Sequence, residues 1–144
     1  MNLKFEKVLE DAVQTVILPV SERFSGLSIG RAYRKSDLQF PAVSVRATGI
    51  SDEWPGKLLM FSAEISIFIA TYMVDDPEEK TLDEISSAVR EILFDRSTPL
   101  LDRISAAAPE LSVFAVVVGD AFKDSPDACR RNTFQLTVKF SPRS

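Results

Sequence analysis

Histidine is absent from this chain of 144 residues, while cysteine and tryptophan each occur once and glycine five times. Each shortage closes off a class of chemistry. Without histidine there is no Ser-His or Cys-His nucleophilic site, and the commonest zinc ligand is missing. The few glycines, with Gly26 and Gly30 the nearest pair, cannot build a phosphate-cradling loop or a dinucleotide fingerprint. Cys129 alone forms no internal disulfide, in keeping with a reducing cytosol. No apolar run approaches the ~18 residues of a membrane span. Residues Met1 to Glu10, where Glu6 and Glu10 stand beside Lys4 and Lys7, lack the apolar stretch of a signal peptide. Positive charge is also in deficit, 17 Lys and Arg against 21 Asp and Glu, for a net charge of −4. That balance opposes wrapping of duplex DNA, which relies on cations neutralising phosphates. It does not oppose a channel through which DNA slides, where repulsion helps.

What is present is apolar periodicity, in a length that suits one domain, 1–144, with a core that needs no staples. Phe5, Val8, Leu9, Ala12, Val13, Val16 and Ile17 recur at helical spacing, so a first helix is expected over Leu3 to Leu18, stopped by Pro19. Leu27 to Tyr33 is a weak strand candidate. Ala42 to Thr48 is a better one, and Gly49 to Leu58 reads as the loop or hairpin tip joining it to an antiparallel neighbour. That neighbour is the clearest alternation in the first half: Phe61, Ala63, Ile65, Ile67 and Ile69 on one face, Ser62, Glu64, Ser66 and Phe68 on the other. The run Asp75-Asp76-Pro77-Glu78-Glu79 offers an aspartate cap, a first-turn proline and acids at a helix's positive end, and Thr81 with Glu84 offers a second start as a capping box. The helix that follows carries Leu82, Ile85, Ala88, Val89, Ile92 and Leu93 on one stripe and ends near Phe94. Ser97-Thr98-Pro99 is expected to open a short extra helix through Ala108, closed by Pro109. Ser112 to Val118 is apolar on both faces, which places it in the middle of a sheet or in a subunit interface. Gly119 to Asn132 reads as a long loop, and Thr133 to Phe140 as a strand burying Phe134, Leu136, Val138 and Phe140. The class expected is α+β. Its antiparallel, or mixed, sheet would have four to five strands, with two main helices mainly on one face and the short helix in addition.

The search for reactive groups yields little. Asp75, Asp76, Glu78 and Glu79 are oxygen ligands of the kind Mg²⁺ or Ca²⁺ accepts, but helix capping explains them without a metal. The adjacent pairs Asp83-Glu84 and Asp52-Glu53 diverge around the backbone and read as solvated surface rather than as an acid and a base. Cys129 sits beside Arg130 and Arg131, cations of the kind that accompany reactive thiols, yet no base or second thiol accompanies it. Neither catalytic residue, metal site nor cofactor is expected. The candidates are instead for protein interfaces: Trp54 and Phe122, large aromatics in loops, and Arg130 and Arg131, whose guanidinium groups suit ion pairing with a neighbouring subunit.

In order and spacing, the elements resemble the tail-terminator or tail-completion proteins of tailed bacteriophages and prophages. The resemblance runs from the amphipathic segment Leu3 to Leu18 through Phe40-Pro41-Ala42-Val43-Ser44-Val45 and the strand Phe61 to Tyr72. It continues into the Asp76-Pro77 helix and on to Arg131-Asn132-Thr133-Phe134-Gln135-Leu136-Thr137-Val138-Lys139-Phe140. The stretch Asp95 to Glu110 is longer than the family's usual link. The resemblance implies a virion protein, made in the bacterial cytoplasm, that forms a ring, commonly a hexamer, on the head-proximal end of the tail tube. Its partners would be further copies of itself, the tail tube protein and the head-tail connector, with DNA only as passing cargo and no membrane. A neck or head-completion protein is the nearest alternative. A small-molecule-binding regulatory domain is another, and it would need a pocket with convergent polar groups.

Trp54 tests the interface assignment. Trp54→Ser is expected to leave the far-ultraviolet circular dichroism and the melting temperature unchanged while weakening assembly. A variant that unfolds would assign the ring to the core, and a soluble one with undiminished assembly would remove it as an anchor.

Overall fold

A computed structural model of the chain describes residues 2–30, 41–52 and 60–143. Helix α1 covers Asn2–Ile17 and runs into a 3-10 turn, Leu18–Glu22, where Pro19 removes a backbone donor and ends the α-helical ladder. Three strands follow, β1 (Ser28–Gly30), β2 (Ala42–Asp52) and β3 (Phe61–Tyr72), then α2 (Lys80–Leu93) and α3 (Leu100–Ala107). The chain closes with β4 (Leu111–Val118), β5 (Phe122–Asp124) and β6 (Cys129–Pro142). The class is α+β, and the six described strands make a mixed sheet ordered β1-β2-β3-β6-β4, with β5 also on β6. β1 pairs with β2 in parallel and every other described pairing is antiparallel.

β6 is the strand on which the second half of the sheet is built. One side pairs with β3 from Phe61 opposite Phe140 to Tyr72 opposite Cys129. The other side pairs with β4 from Leu111 opposite Pro142 to Val118 opposite Leu136, then with β5 from Phe122 opposite Thr133 to Asp124 opposite Arg131. Between the two, Gly119 N–H donates to the Gln135 carbonyl at 2.8 Å. β4 and β5 are therefore one interrupted edge strand.

All three helices pack on one face. Val43, Val45, Ile65, Ile67, Ile69, Phe134, Leu136, Val138 and Phe140 turn toward that side, each no more than 1% exposed. They meet Leu9, Val13 and Ile17 of α1, Leu82, Ile85 and Val89 of α2, and Ile104 of α3 in one core. At one end the rings of Phe5, Phe61 and Phe140 lie with centroids 5.6 Å apart in each pair, within the range where aromatic pairs gain beyond area burial. The opposite face, with Arg46, Glu64 and Gln135 exposed, is mostly polar.

Several expected boundaries change. β2 does not stop at Thr48: a bulge between Ala47 and Gly49 lets pairing with β3 run on to Asp52. The N–H of Ala47 beside that bulge donates to Glu10 Oε2 of α1 at 2.8 Å, so a buried carboxylate satisfies an amide. β1 realises part of the Leu27 to Tyr33 candidate; residues 31–40, like Trp54 and the rest of 53–59, lie outside the described residues. Gly119 to Asn132 is not one loop, because β5 lies within it and Cys129 to Asn132 belong to β6. Charged Lys123, Asp124, Arg130 and Arg131 suggest a loop, yet an edge strand tolerates charges because one side faces water. Ser112 to Val118 is not in the middle of the sheet either, since β4 is the outer strand. Periodicity reports apolar faces, and it cannot say whether water or protein lies beyond them.

Phe140→Ala is expected to lower unfolding free energy by about 3–5 kcal/mol in urea titrations, since the residue is fully buried in the aromatic cluster. Gln135→Ala on the opposite, exposed face should stay within about 0.5 kcal/mol. Equal losses at the two positions would contradict one-sided burial.

Candidate functional site

The start of α2 organises the polar residues that the sequence singles out. The helix begins at Lys80, later than Pro77, and Glu79 precedes it in the left-handed region at φ 60 without a side-chain cap. Asp76 does the capping from three residues upstream of Glu79. Its Oδ1 accepts the Thr81 N–H at 2.9 Å, and its Oδ2 accepts the Leu82 N–H at 2.9 Å and the Thr71 hydroxyl at 3.1 Å. The reach is possible because the chain folds back, Glu79 N–H donating to the Asp76 carbonyl at 3.2 Å. Burial pushes the Asp76 carboxyl up, but the Thr81 and Leu82 amides, the Thr71 hydroxyl and the Arg130 charge outweigh it and hold it below the ordinary 3.8. Both aspartate oxygens are thus spent on the helix. Thr81, read as a cap residue, instead lies within the first turn and donates its own N–H.

Arg130 and Arg131 diverge, as neighbours on a strand must. Arg130 donates to the Asp76 carbonyl at 3.0 Å, the Pro77 carbonyl at 2.9 Å and Glu79 Oε1 at 3.0 Å, tying β6 to the turn before α2. Lys123 of β5 reaches the same place, with Nζ 3.2 Å from Glu79 and 2.7 Å from Asp83. Hydrogen bonds to Asp83 and Glu79 raise the Lys123 pKa above its ordinary value. Arg131 turns to the other face, where Nε donates to Asp124 Oδ1 at 2.8 Å and the guanidinium carbon lies 5.2 Å from the centroid of Phe68. The Arg131 hydrogen bond holds the Asp124 carboxyl down. Both arginines are engaged within the chain. Phe122 lies on β5 and is 47% exposed.

Of the acids with metal-ligand chemistry, Asp76 and Glu79 are engaged in these contacts. Among the described residues no group of three or more His, Cys, Asp or Glu is placed to hold a metal ion. Cys129 is buried at the start of β6. A depression of about 250 Å³ beside the α2 start includes Thr71, Tyr72, Asp75 and Asp76 in its wall. Its buried carboxylate, Asp76, already accepts three hydrogen bonds from within the chain.

The outer edge of the sheet presents a different surface. From Leu111 to Gly119 no residue is charged, and along the edge Phe114 is 50% exposed and Val117 58%. With Phe122 these side chains form an apolar strip beside a row of backbone groups that β6 does not reach. Edge strands are usually guarded by charge, proline or cover. Among the described residues the guard here is a bulge at Phe114, between Val113 and Ala115. Phe114 and Val117 escape sequence reading because the all-apolar run that marks them is also the mark of a buried strand. Comparison with protein-family models gives no match, and comparison with curated proteins gives none.

Asp76→Ala is expected to cost about 1–2 kcal/mol at neutral pH through loss of the cap. Because the folded pKa is depressed, the contribution is complete above the unfolded value near 3.8 and is lost as pH falls through the folded value. Urea titrations of wild type and variant should therefore converge in acid. A gap that persists unchanged at low pH would show that the charged carboxylate is not the cap.

Proposed function

We propose that this chain is a structural virion protein that assembles into a ring on the head-proximal end of a phage tail tube, ends tube growth and offers a surface for head joining. It would work by binding rather than by catalysis, in the virion, after synthesis in the bacterial cytoplasm. The observation that carries the reading is the exposed, uncharged outer edge of β4 with Phe114 and Val117, a surface that suits assembly far better than solvation. The order of elements that prompted the resemblance supports it further, since the two helices, the paired strands and the closing strand fall in the expected succession.

Capping requires two unlike surfaces. A ring closed by rotational symmetry has no free lateral contacts, and axial growth stops if one face matches the tube subunit while the other does not repeat it. This chain is suited to such asymmetry, because its sheet bears helices on one face and polar side chains such as Arg46, Glu64 and Gln135 on the other. Net charge −4 is compatible with DNA passing through without being gripped.

Deleting the gene from its phage or prophage and imaging the particles by electron microscopy tests the proposal. Overlong, headless tails are the expected result. Tails of normal length beside unjoined heads would assign the chain to the neck instead, and unaltered particles would remove the virion role.

A further inference from the structure

The hairpin formed by β5 and β6 is fastened by charge and barely by burial. All three residues of β5, Phe122, Lys123 and Asp124, are exposed, and their partners on β6 are Thr133, Asn132 and Arg131. Among the described residues three ion pairs hold the strand: Lys123 with Glu79 at 3.2 Å and with Asp83 at 2.7 Å on the helix side, and Asp124 with Arg131 on the other face. The side chains in these pairs are between 32% and 55% exposed, so water and salt screen them. Against them stands a hydroxyl. Residues opposite each other in a sheet point their side chains to the same face, so Thr133 lies between Phe68 of β3 and Phe122 of β5. Thr133 is 0% exposed, and its Oγ1 has no hydrogen-bond partner among the described residues. A hydroxyl that has given up water without gaining a partner is unfavourable, and it regains water if Phe122 moves away. The chain on either side of β5 is anchored, through the Gly119 N–H on the Gln135 carbonyl at 2.8 Å and the Cys129 N–H on the Pro126 carbonyl at 3.0 Å. Residues 120–125 can lift between those points. Within them Ala121 packs against the core, with a single methyl.

We propose that β5 is a releasable strap: residues 120–125 exchange between a closed form pinned by Lys123 and Asp124 and an open form in which Thr133 is hydrated, with ionic strength setting the balance. Opening gives up a short ladder and three screened ion pairs, and it gains chain freedom and a hydrated hydroxyl. Salt weakens the ion pairs and leaves the gains untouched, so it acts on one side of the balance alone. The open form is a different surface. It uncovers the backbone of Arg131 to Thr133 beside the end of β4, releases Arg131 from Asp124, and leaves Glu79 and Asp83 without Lys123. Arg130 is unaffected, because its hydrogen bonds go to the turn before α2 and not to β5. β6 therefore keeps its register with β3 while the strap lifts. This inference does not rest on the ring reading.

Amide exchange of the full chain, followed peptide by peptide at one pH as NaCl rises from ~10 mM to ~1 M and the screening length falls from about 30 Å to about 3 Å, tests the proposal. Exchange across residues 120–125 should quicken several-fold while residues 134–140 keep their protection. Lys123→Gln removes two of the three ion pairs from an exposed position, and should quicken the same segment in dilute salt and leave a smaller response to NaCl. Thr133→Val keeps the shape of the side chain and deletes the hydroxyl, so it should slow exchange across 120–125. A segment indifferent to salt would overturn the proposal, because charge would then not be what closes it. So would a rise shared equally by residues 134–140, which is unfolding of the whole sheet. A Thr133→Val chain whose β5 exchanges no more slowly than wild type would overturn it as well, since the hydroxyl would then not oppose closure.

Discussion

The structure depends on β6 being hydrogen-bonded on both sides. β3 occupies one side along the whole run from Cys129 to Phe140, and the interrupted strand formed by β4 and β5 occupies the other. Because side chains alternate across a strand, fixing this register sends Phe134, Leu136, Val138 and Phe140 to the helices and leaves Gln135 in water. A slip of one residue would reverse that set. Helix packing follows from the register, since α2 and α3 have only one apolar face of the sheet on which to lay their own stripes.

Ionic contacts then fix the end of the sheet nearest α2. Arg130 and Lys123, from two different strands, converge on Glu79, and Arg130 also takes the carbonyls of Asp76 and Pro77. Left-handed backbone at a glutamate is unfavourable by itself. Here it lets the turn double back so that Asp76 reaches the free amides of the helix. Exposed pairs such as Lys123 with Asp83 contribute little singly, and the value of the group lies in holding a hairpin, a turn and a helix in one arrangement.

Much of this was legible in the chain. Alternation from Phe61 to Ile69 and from Thr133 to Phe140 gave two strands with their buried faces, and the stripe from Leu82 to Leu93 gave a helix, because in each case one face is apolar and the other is not. Where that contrast fails, so does the reading. Ser112 to Val118 is apolar on both sides, so nothing in it distinguishes an inner strand from an outer one. Lys123, Asp124, Arg130 and Arg131 carry charge on strands because their partners come from residues ~40–50 positions away or from the adjacent strand, contacts that no local pattern encodes. The acidic run before α2 was readable as a cap, but its true donor and acceptor spacing required the left-handed turn at Glu79. Of the interface candidates, Phe122 reads as a loop aromatic but lies on β5, whose pairing with β6 no local pattern encodes.

The bond from Ala47 N–H to Glu10 has a consequence at the far side of the sheet. An amide committed to a buried carboxylate of α1 is not available to an incoming strand, and the short β1 already occupies Ala42 to Ser44 of the same strand. Among the described residues, β2 is therefore partly closed to extension at these positions, while no strand covers the outer side of β4. A sheet open to strand addition at both edges can propagate into a fibril, and a backbone donor spent inside the chain makes one edge a poorer template.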